Sequence, residues 1–274
     1  MNWNTLPHAT GSQMATIYDY GNGLVEGSWT SIRPEPRWVG ENAKRGESRN
    51  REQNELFAIR RAKTNARRLI LTLRPTSLGT TTFRENLTDP RTAWRVMDKF
   101  IRFVHKRFPD DKFIAFPELQ ERGALHFHFP IAGWMPKQKL RYYHDCSRKD
   151  SGKYGGTFNV SWNRKAGVSD AENSVKICNY LTKYLSKRMG QSPRQLGEHR
   201  YRASKDIKPP RTKCFMDAQS LSRAAEGLVA LIEGSHKGVV TYYFQSSPDS
   251  PVPVFGWACT WGRPSGALPP PVIA

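Results

Sequence analysis

The segment Glu118-Leu-Gln-Glu-Arg-Gly-Ala-Leu-His126-Phe-His128-Phe129 constrains this chain more than any other. Side chains of a β-strand alternate between its faces, so His126 and His128 share one side while Phe127 and Phe129 share the other. One face can enter a core, and the other carries two imidazoles. Glu118 stands eight residues before His126, and Arg122-Gly123 between them is a turn signal, so a hairpin returns the carboxylate beside the histidines. Two ring nitrogens and one carboxylate leave open positions on a divalent ion, which catalytic use requires. The set suits Mg²⁺ or Mn²⁺ when a substrate phosphate completes the shell. Zn²⁺ would also accept it, so ligand type alone does not choose the metal.

A second stretch, Tyr180-Leu-Thr-Lys-Tyr184-Leu-Ser-Lys187, reads as helix. Tyr180 and Tyr184 are four residues apart and share a face, while Lys183 and Lys187 each follow a tyrosine by three. Core aromatics are the ordinary reading of Tyr-x-x-x-Tyr. Two adjacent copies of Tyr-Leu-x-Lys, in a chain that also carries a metal-ligand hairpin, point to chemistry. A phenol, with a pKa of about 10, is a poor nucleophile at neutral pH. A nearby cation and lysine ammonium groups favour the phenolate. The combination implies phosphodiester transfer: a phosphotyrosine ester, a free hydroxyl on the other strand end, and a second tyrosine one turn away for a later round.

Net charge selects the substrate class. With 43 Lys and Arg against 24 Asp and Glu, the formal charge of +19 favours a polyanionic partner, nucleic acid above all. The four cysteines (Cys146, Cys178, Cys214 and Cys259) form no C-x-x-C pair, which argues against a zinc ribbon or disulfide framework and fits a reducing compartment. No signal peptide or membrane-length apolar run is legible, so the chain is expected to be soluble and intracellular, in a bacterial cytoplasm.

Along the chain, residues 1–66 show little hydrophobic periodicity and read as a basic extension. From Lys44 to Arg74 there are ten Lys or Arg against three acids, compatible with a solvated helix face or a DNA-contacting arm. Leu69–Leu73 is a short apolar run before Pro75 and reads as a buried strand. Asp89-Pro90 predicts a helix start, followed by a stripe of Trp94, Met97, Ile101, Val104 and Phe108. The lone His105 falls beside that stripe and reads as surface decoration. Phe113–Phe116 and His126–Ala132 are the arms of the hairpin. A helix over Lys137–Asp145, a strand over Thr157–Trp162 and a helix from Ser169 to Lys187, capped by Ser169 or Asp170 and ended by Gly190 and Pro193, follow. Arg200–Ser204 reads as a last strand of the same sheet. The segment from Lys176 to Lys213 is the most basic, with eleven Lys or Arg against two acids. Beyond it a helix over Gln219–Glu233 and a strand over Val239–Gln245 are expected. The Pro/Gly/Ser-rich stretch from Ser247 is expected to be poorly ordered. The order of elements predicts an α+β fold, a central antiparallel sheet with helices packed on it, organised as 1–66, 67–206 and 207–274.

At these residues the chain resembles the HUH endonucleases, specifically the two-tyrosine rolling-circle replication initiators of phages and plasmids. Glu118 through His128 is similar to that family's metal-binding motif, Tyr180 through Lys187 to its catalytic helix, Leu69–Leu73 to its first strand and Arg200–Ser204 to the strand after the catalytic helix. The resemblance spans roughly residues 67–206. It implies that Tyr180 and Tyr184 are nucleophiles, that Glu118, His126 and His128 hold Mg²⁺ or Mn²⁺, and that Lys183 and Lys187 assist at the phosphate. Glu121 is a competing carboxylate whose spacing fits the family pattern less well. The implied activity nicks single-stranded origin DNA, retains the 5′ phosphate and leaves a 3′-hydroxyl primer. Transposases and relaxases share this chemistry, and a non-enzymatic single-strand-binding protein is the reading from another class. No G-x-x-x-x-G-K-[ST] loop is present, so unwinding and synthesis would fall to a host helicase and polymerase.

Overall fold

The computed structural model describes residues 12–30, 51–121, 123–150, 154–162, 168–187, 199–217, 221–236, 239–245 and 255–261. In chain order the elements are β1 (Ser12–Gly21), β2 (Leu24–Thr30), α1 (Arg51–Leu73), β3 (Pro75–Thr82), α2 (Pro90–Arg107), β4 (Ile114–Leu119), β5 (Leu125–Ala132) and α3 (Lys137–Asp145). A π-helical turn (Cys146–Asp150) leads to β6 (Thr157–Trp162). Then come α4 (Asp170–Lys187), β7 (Arg202–Ala203), β8 (Arg211–Asp217), α5 (Leu221–His236), β9 (Tyr242–Gln245) and β10 (Phe255–Cys259). The fold is α+β with two antiparallel five-stranded sheets. Contacts divide the chain into residues 43–208 and a second unit made of residues 1–42 with 209–274. The boundary expected at residue 66 falls inside α1, and the two terminal segments together supply the second unit.

In the 43–208 unit the strand order is β6-β3-β5-β4-β7. Asp89 caps α2 as expected: its carboxylate accepts from the Thr92 amide at 2.8 Å, and Pro90 occupies the first turn, where a missing N–H costs nothing. Hydrogen bonds from Thr92 hold the Asp89 carboxyl below its ordinary pKa. The helix buries Trp94, Met97 and Val104 as the stripe predicts, with Ala93, Val96 and Phe100 also inside. Phe127 and Phe129 of β5 enter this core. The Trp94 ring meets Phe127 edge-on at 4.8 Å and Phe100 meets Phe129 at 6.0 Å. Burial of each such ring stabilises the fold by roughly 1.5–3 kcal/mol. His105 is half-buried with its ring 5.1 Å from Phe113, so it belongs to the margin of this core instead of decorating the surface.

Leu69–Leu73 is not a strand. It forms the last turns of α1, because Ile59, Ala66 and Ile70 recur at helical spacing and are all buried. Arg74 then adopts φ 51°, its amide bonding back to Leu71, and this left-handed residue ends the helix. Pro75, expected to stop a strand, instead begins β3, a position where proline is tolerated. The strand that the family resemblance placed at 69–73 is therefore not there; β3 is the first strand of this sheet. Helix α4 begins with the capping box Ser169-x-x-Glu172: the Glu172 amide donates to Ser169 Oγ at 3.2 Å, and the Ser169 amide donates to the Glu172 carboxylate at 3.0 Å. Gly190 and Pro193, the expected helix stop, lie outside the described residues. Arg202–Ala203 pairs with β4, a shorter strand than Arg200–Ser204.

The second unit has strand order β8-β1-β2-β10-β9, with α5 packed on one face. Ala224, Leu228 and Ile232 of α5 meet Ala15, Ile17, Val25 and Trp29 in a common core. A Cβ on Gly27 would stand 2.7 Å from Leu228 Cδ1, so glycine lets the helix approach the sheet. Two expectations are corrected here. Residues before 31, read as lacking pattern, hold two strands, and β10 lies in the stretch from Ser247 that was expected to be poorly ordered. Residues 246–254 and 262–274 of that stretch lie outside the described residues.

Candidate functional site

Hairpin β4–β5 sets the geometry. Gly123 turns the chain at φ 80°, with its amide bonded to Gln120 O and the Gln120 amide to Ala124 O, both at 2.9 Å. The resulting register places Glu118 opposite His126 and Phe116 opposite His128. Because parity is kept across the ladder, Glu118, His126 and His128 all lie on the face away from the Phe127/Phe129 core. Glu121 lies exposed in the turn, off the ladder, whereas Glu118 Oε2 is 2.5 Å from His128 Nε2. Both histidines are buried, at 8% and 5% exposure.

Thr80 of β3 completes the surroundings of His128. It is the cross-strand neighbour of His128, and its Oγ1 stands 3.0 Å from Nδ1. The two ring nitrogens therefore have distinct partners, Thr80 on one side and Glu118 on the other. That pattern, one nitrogen fixed by a neighbour and the other aimed at a carboxylate, is how proteins orient a ligating imidazole. Sequence reasoning missed Thr80. Its β-branched strand signal is plain, but the register that pairs it with a residue 48 positions away is not written locally.

Helix α4 covers the same face of the sheet, packing on β3, β4 and β5 and against α1. Ile177, Cys178, Leu181 and Leu185 form its buried side. Ser174 Oγ donates to Pro75 O at 3.0 Å and pins the helix to the start of β3. Turned the other way, Tyr180 is 42% exposed, and its ring stands edge-on to His128 with centroids 5.9 Å apart. Lys183 is exposed one turn on. Tyr184 and Lys187 follow on the same helix, but their side chains lie outside what the structure describes. The two stretches singled out by sequence thus meet at the contact of Tyr180 with His128. Phe116 and Tyr201 stack beside it at 5.5 Å, and burial raises the Tyr201 phenol above its ordinary pKa.

The donor set of two imidazoles and a carboxylate suits a divalent metal, and Glu118 already converges on His128. Among the described residues, however, no three His, Cys, Asp or Glu side chains converge on one point as they stand. Holding an ion with all three would require the His126 and Glu118 side chains to adjust about their cross-strand pairing. Among the described residues no helix is long and apolar enough to cross a membrane.

The model of the family described as replication-associated protein ORF2 matches residues 76–189, which takes in β3 through α4 and every site residue named above except Tyr201. This likeness, over less than half of the chain, supports a replication-initiator family and with it a role at DNA. No curated protein and no solved structure matches the chain.

Proposed function

We propose that the 43–208 unit is an HUH-type nuclease that nicks and rejoins single-stranded DNA at a replication origin through a 5′-phosphotyrosine intermediate. The observation that carries this reading is Tyr180 standing against His128, which is itself bonded to Glu118. Glu118, His126 and His128 would hold Mg²⁺ or Mn²⁺, which supplies charge neutralisation at the non-bridging oxygens of the scissile phosphate. Thr80 holds the His128 ring in orientation. Tyr180 Oη attacks phosphorus, the phenol proton passes to solvent, and the P–O3′ bond breaks with its electron pair on the leaving oxygen, which takes up a proton to give the 3′-hydroxyl. Lys183 and Lys187 neutralise charge at the phosphate. Tyr184, one turn later, serves the second transfer that rejoins the displaced strand. The replication-associated family likeness favours initiation over transposition or conjugation. A host helicase and polymerase would supply unwinding and synthesis.

The test is incubation of the full chain with single-stranded origin DNA and Mn²⁺, followed by denaturing electrophoresis for a covalent adduct. Adducts should form with each single variant, Tyr180→Phe and Tyr184→Phe, at a different step, and vanish in the double variant. Persistence in the double variant places the nucleophile elsewhere, and absence of any adduct with every divalent metal sinks the enzymatic reading.

A further inference from the structure

Helix α1 has an outer face that the nicking chemistry does not use. Ile59, Ala66 and Ile70 mark its buried side. On the opposite side Phe57, Arg61 and Arg68 fall at steps of four and seven, one continuous stripe, with Arg60 and Arg67 on its flank. Phe57 and Leu56 are large apolar side chains left 42% and 40% exposed. From Leu56 to Arg74 the sequence holds six Arg or Lys and no acid. The nearest acid before it, Glu55, is ion-paired with Arg200. Burial lowers the affinity of Arg60 and Lys63 for their protons, so these two cations are held close against the body of the protein.

Two contacts fix how this face runs relative to the site. Ser174 of α4 bonds to Pro75 just beyond the end of α1, and Cys178, one turn later, approaches the carbonyl of Arg67 at 4.0 Å. The helices are therefore antiparallel, and the Arg60–Arg68 stretch runs beside the part of α4 that carries Tyr180. A row of cations alone would suit any polyanion. An exposed aromatic ring within the basic stripe adds a stacking platform, which only a strand with unpaired bases can use.

Resting on the function proposed above, we infer that the outer face of α1 is the docking track for the single-stranded DNA delivered to Tyr180. Its phosphates lie on Arg61 and Arg68 and their basic neighbours, and a base stacks on Phe57. The track is independent of base sequence, since it reads charge and ring faces alone.

Anisotropy titration of the full chain with a labelled, mixed-sequence single-stranded oligonucleotide over a range of NaCl concentrations tests this. The double change Arg61→Gln with Arg68→Gln should flatten the slope of log K against log salt by about 1.4, at about 0.7 for each phosphate no longer neutralised. The charge-keeping pair Arg61→Lys with Arg68→Lys should retain the slope, which separates charge loss from misfolding. Phe57→Ala should leave the slope unchanged and weaken binding by roughly tenfold. An unchanged slope in the Gln pair, wild-type affinity in Phe57→Ala, or tighter binding of duplex than of single strand overturns the track. Adduct formation by wild type separates the two readings. Flattened slopes without any adduct sink the nuclease and keep the track, whereas adducts with unaltered slopes do the reverse.

Discussion

Replacing Thr80 by valine isolates one atom of the site. Valine keeps the β-branched shape that suits a strand, so β3 and its packing persist while the hydroxyl 3.0 Å from His128 Nδ1 is lost. One such hydrogen bond contributes a net 0.5–1.5 kcal/mol or so, and for a domain of this size a loss of about 1 kcal/mol lowers Tm by about 2–4 °C. The consequence at the metal should be larger. Without Thr80 the imidazole is free to choose the wrong tautomer and tilt, and loss of such an outer partner costs about 10–100-fold in metal affinity, equivalent to about 1.4–2.8 kcal/mol. The measurement is Mn²⁺ affinity, from free Mn²⁺ counted by electron paramagnetic resonance, set beside a thermal melt and the adduct assay. Thr80→Val should bind Mn²⁺ at least tenfold more weakly with a melt only a few degrees lower, and Thr80→Ser should restore both. Wild-type Mn²⁺ affinity in a folded Thr80→Val protein would refute the assignment of Thr80 as the residue that orients His128.

Gly156→Ala should not fold well, because its Cβ would fall 1.7 Å from the carbonyl oxygen of Thr82, and backbone cannot yield as a side-chain tip can. We expect a loss of more than about 3 kcal/mol in urea unfolding, and a wild-type midpoint would contradict the packing described. Ser169→Ala removes one arm of the α4 capping box and should cost about 1 kcal/mol, with Ser169→Asn retaining most of it. Alkaline stability follows Tyr143. Burial, with a further contribution from its hydrogen bond to Asp111, raises its phenol above the ordinary value. The folded state therefore holds Tyr143 neutral where the unfolded chain would ionise it. Its contribution is complete below pH about 10 and is lost as pH rises past that point. Tyr143→Phe should make stability less steep in that range, whereas native-state ionisation of Tyr143 near pH 10 by ultraviolet absorbance would refute the burial argument.

The site was legible largely because its signals are local. Hairpin parity, Gly123 at the turn, the Ser169–Glu172 box and the apolar stripe of α2 are each set by neighbours within a dozen residues or so, and each forms where the sequence placed it. Leu69–Leu73 shows the limit of that logic. Five apolar-rich residues fit a strand or a buried helical turn equally well, and the choice fell to α4, against which α1 packs. The stretches before residue 31 and after residue 209 read as extensions because each holds only part of a sheet. Strands β1 and β2 acquire their outer neighbours, β8 and β10, from about 190 to 240 residues away, and a pairing of that reach leaves no periodic trace in either segment.

Sequence by itself therefore determined which residue types meet a phosphate and on which face of their own strand or helix they stand. Only tertiary structure decided that the Tyr180 helix lies over the His128 strand and that Thr80 holds the ring. It also decided that the basic face of α1 runs alongside, because register and helix docking depend on surfaces brought together from distant parts of the chain.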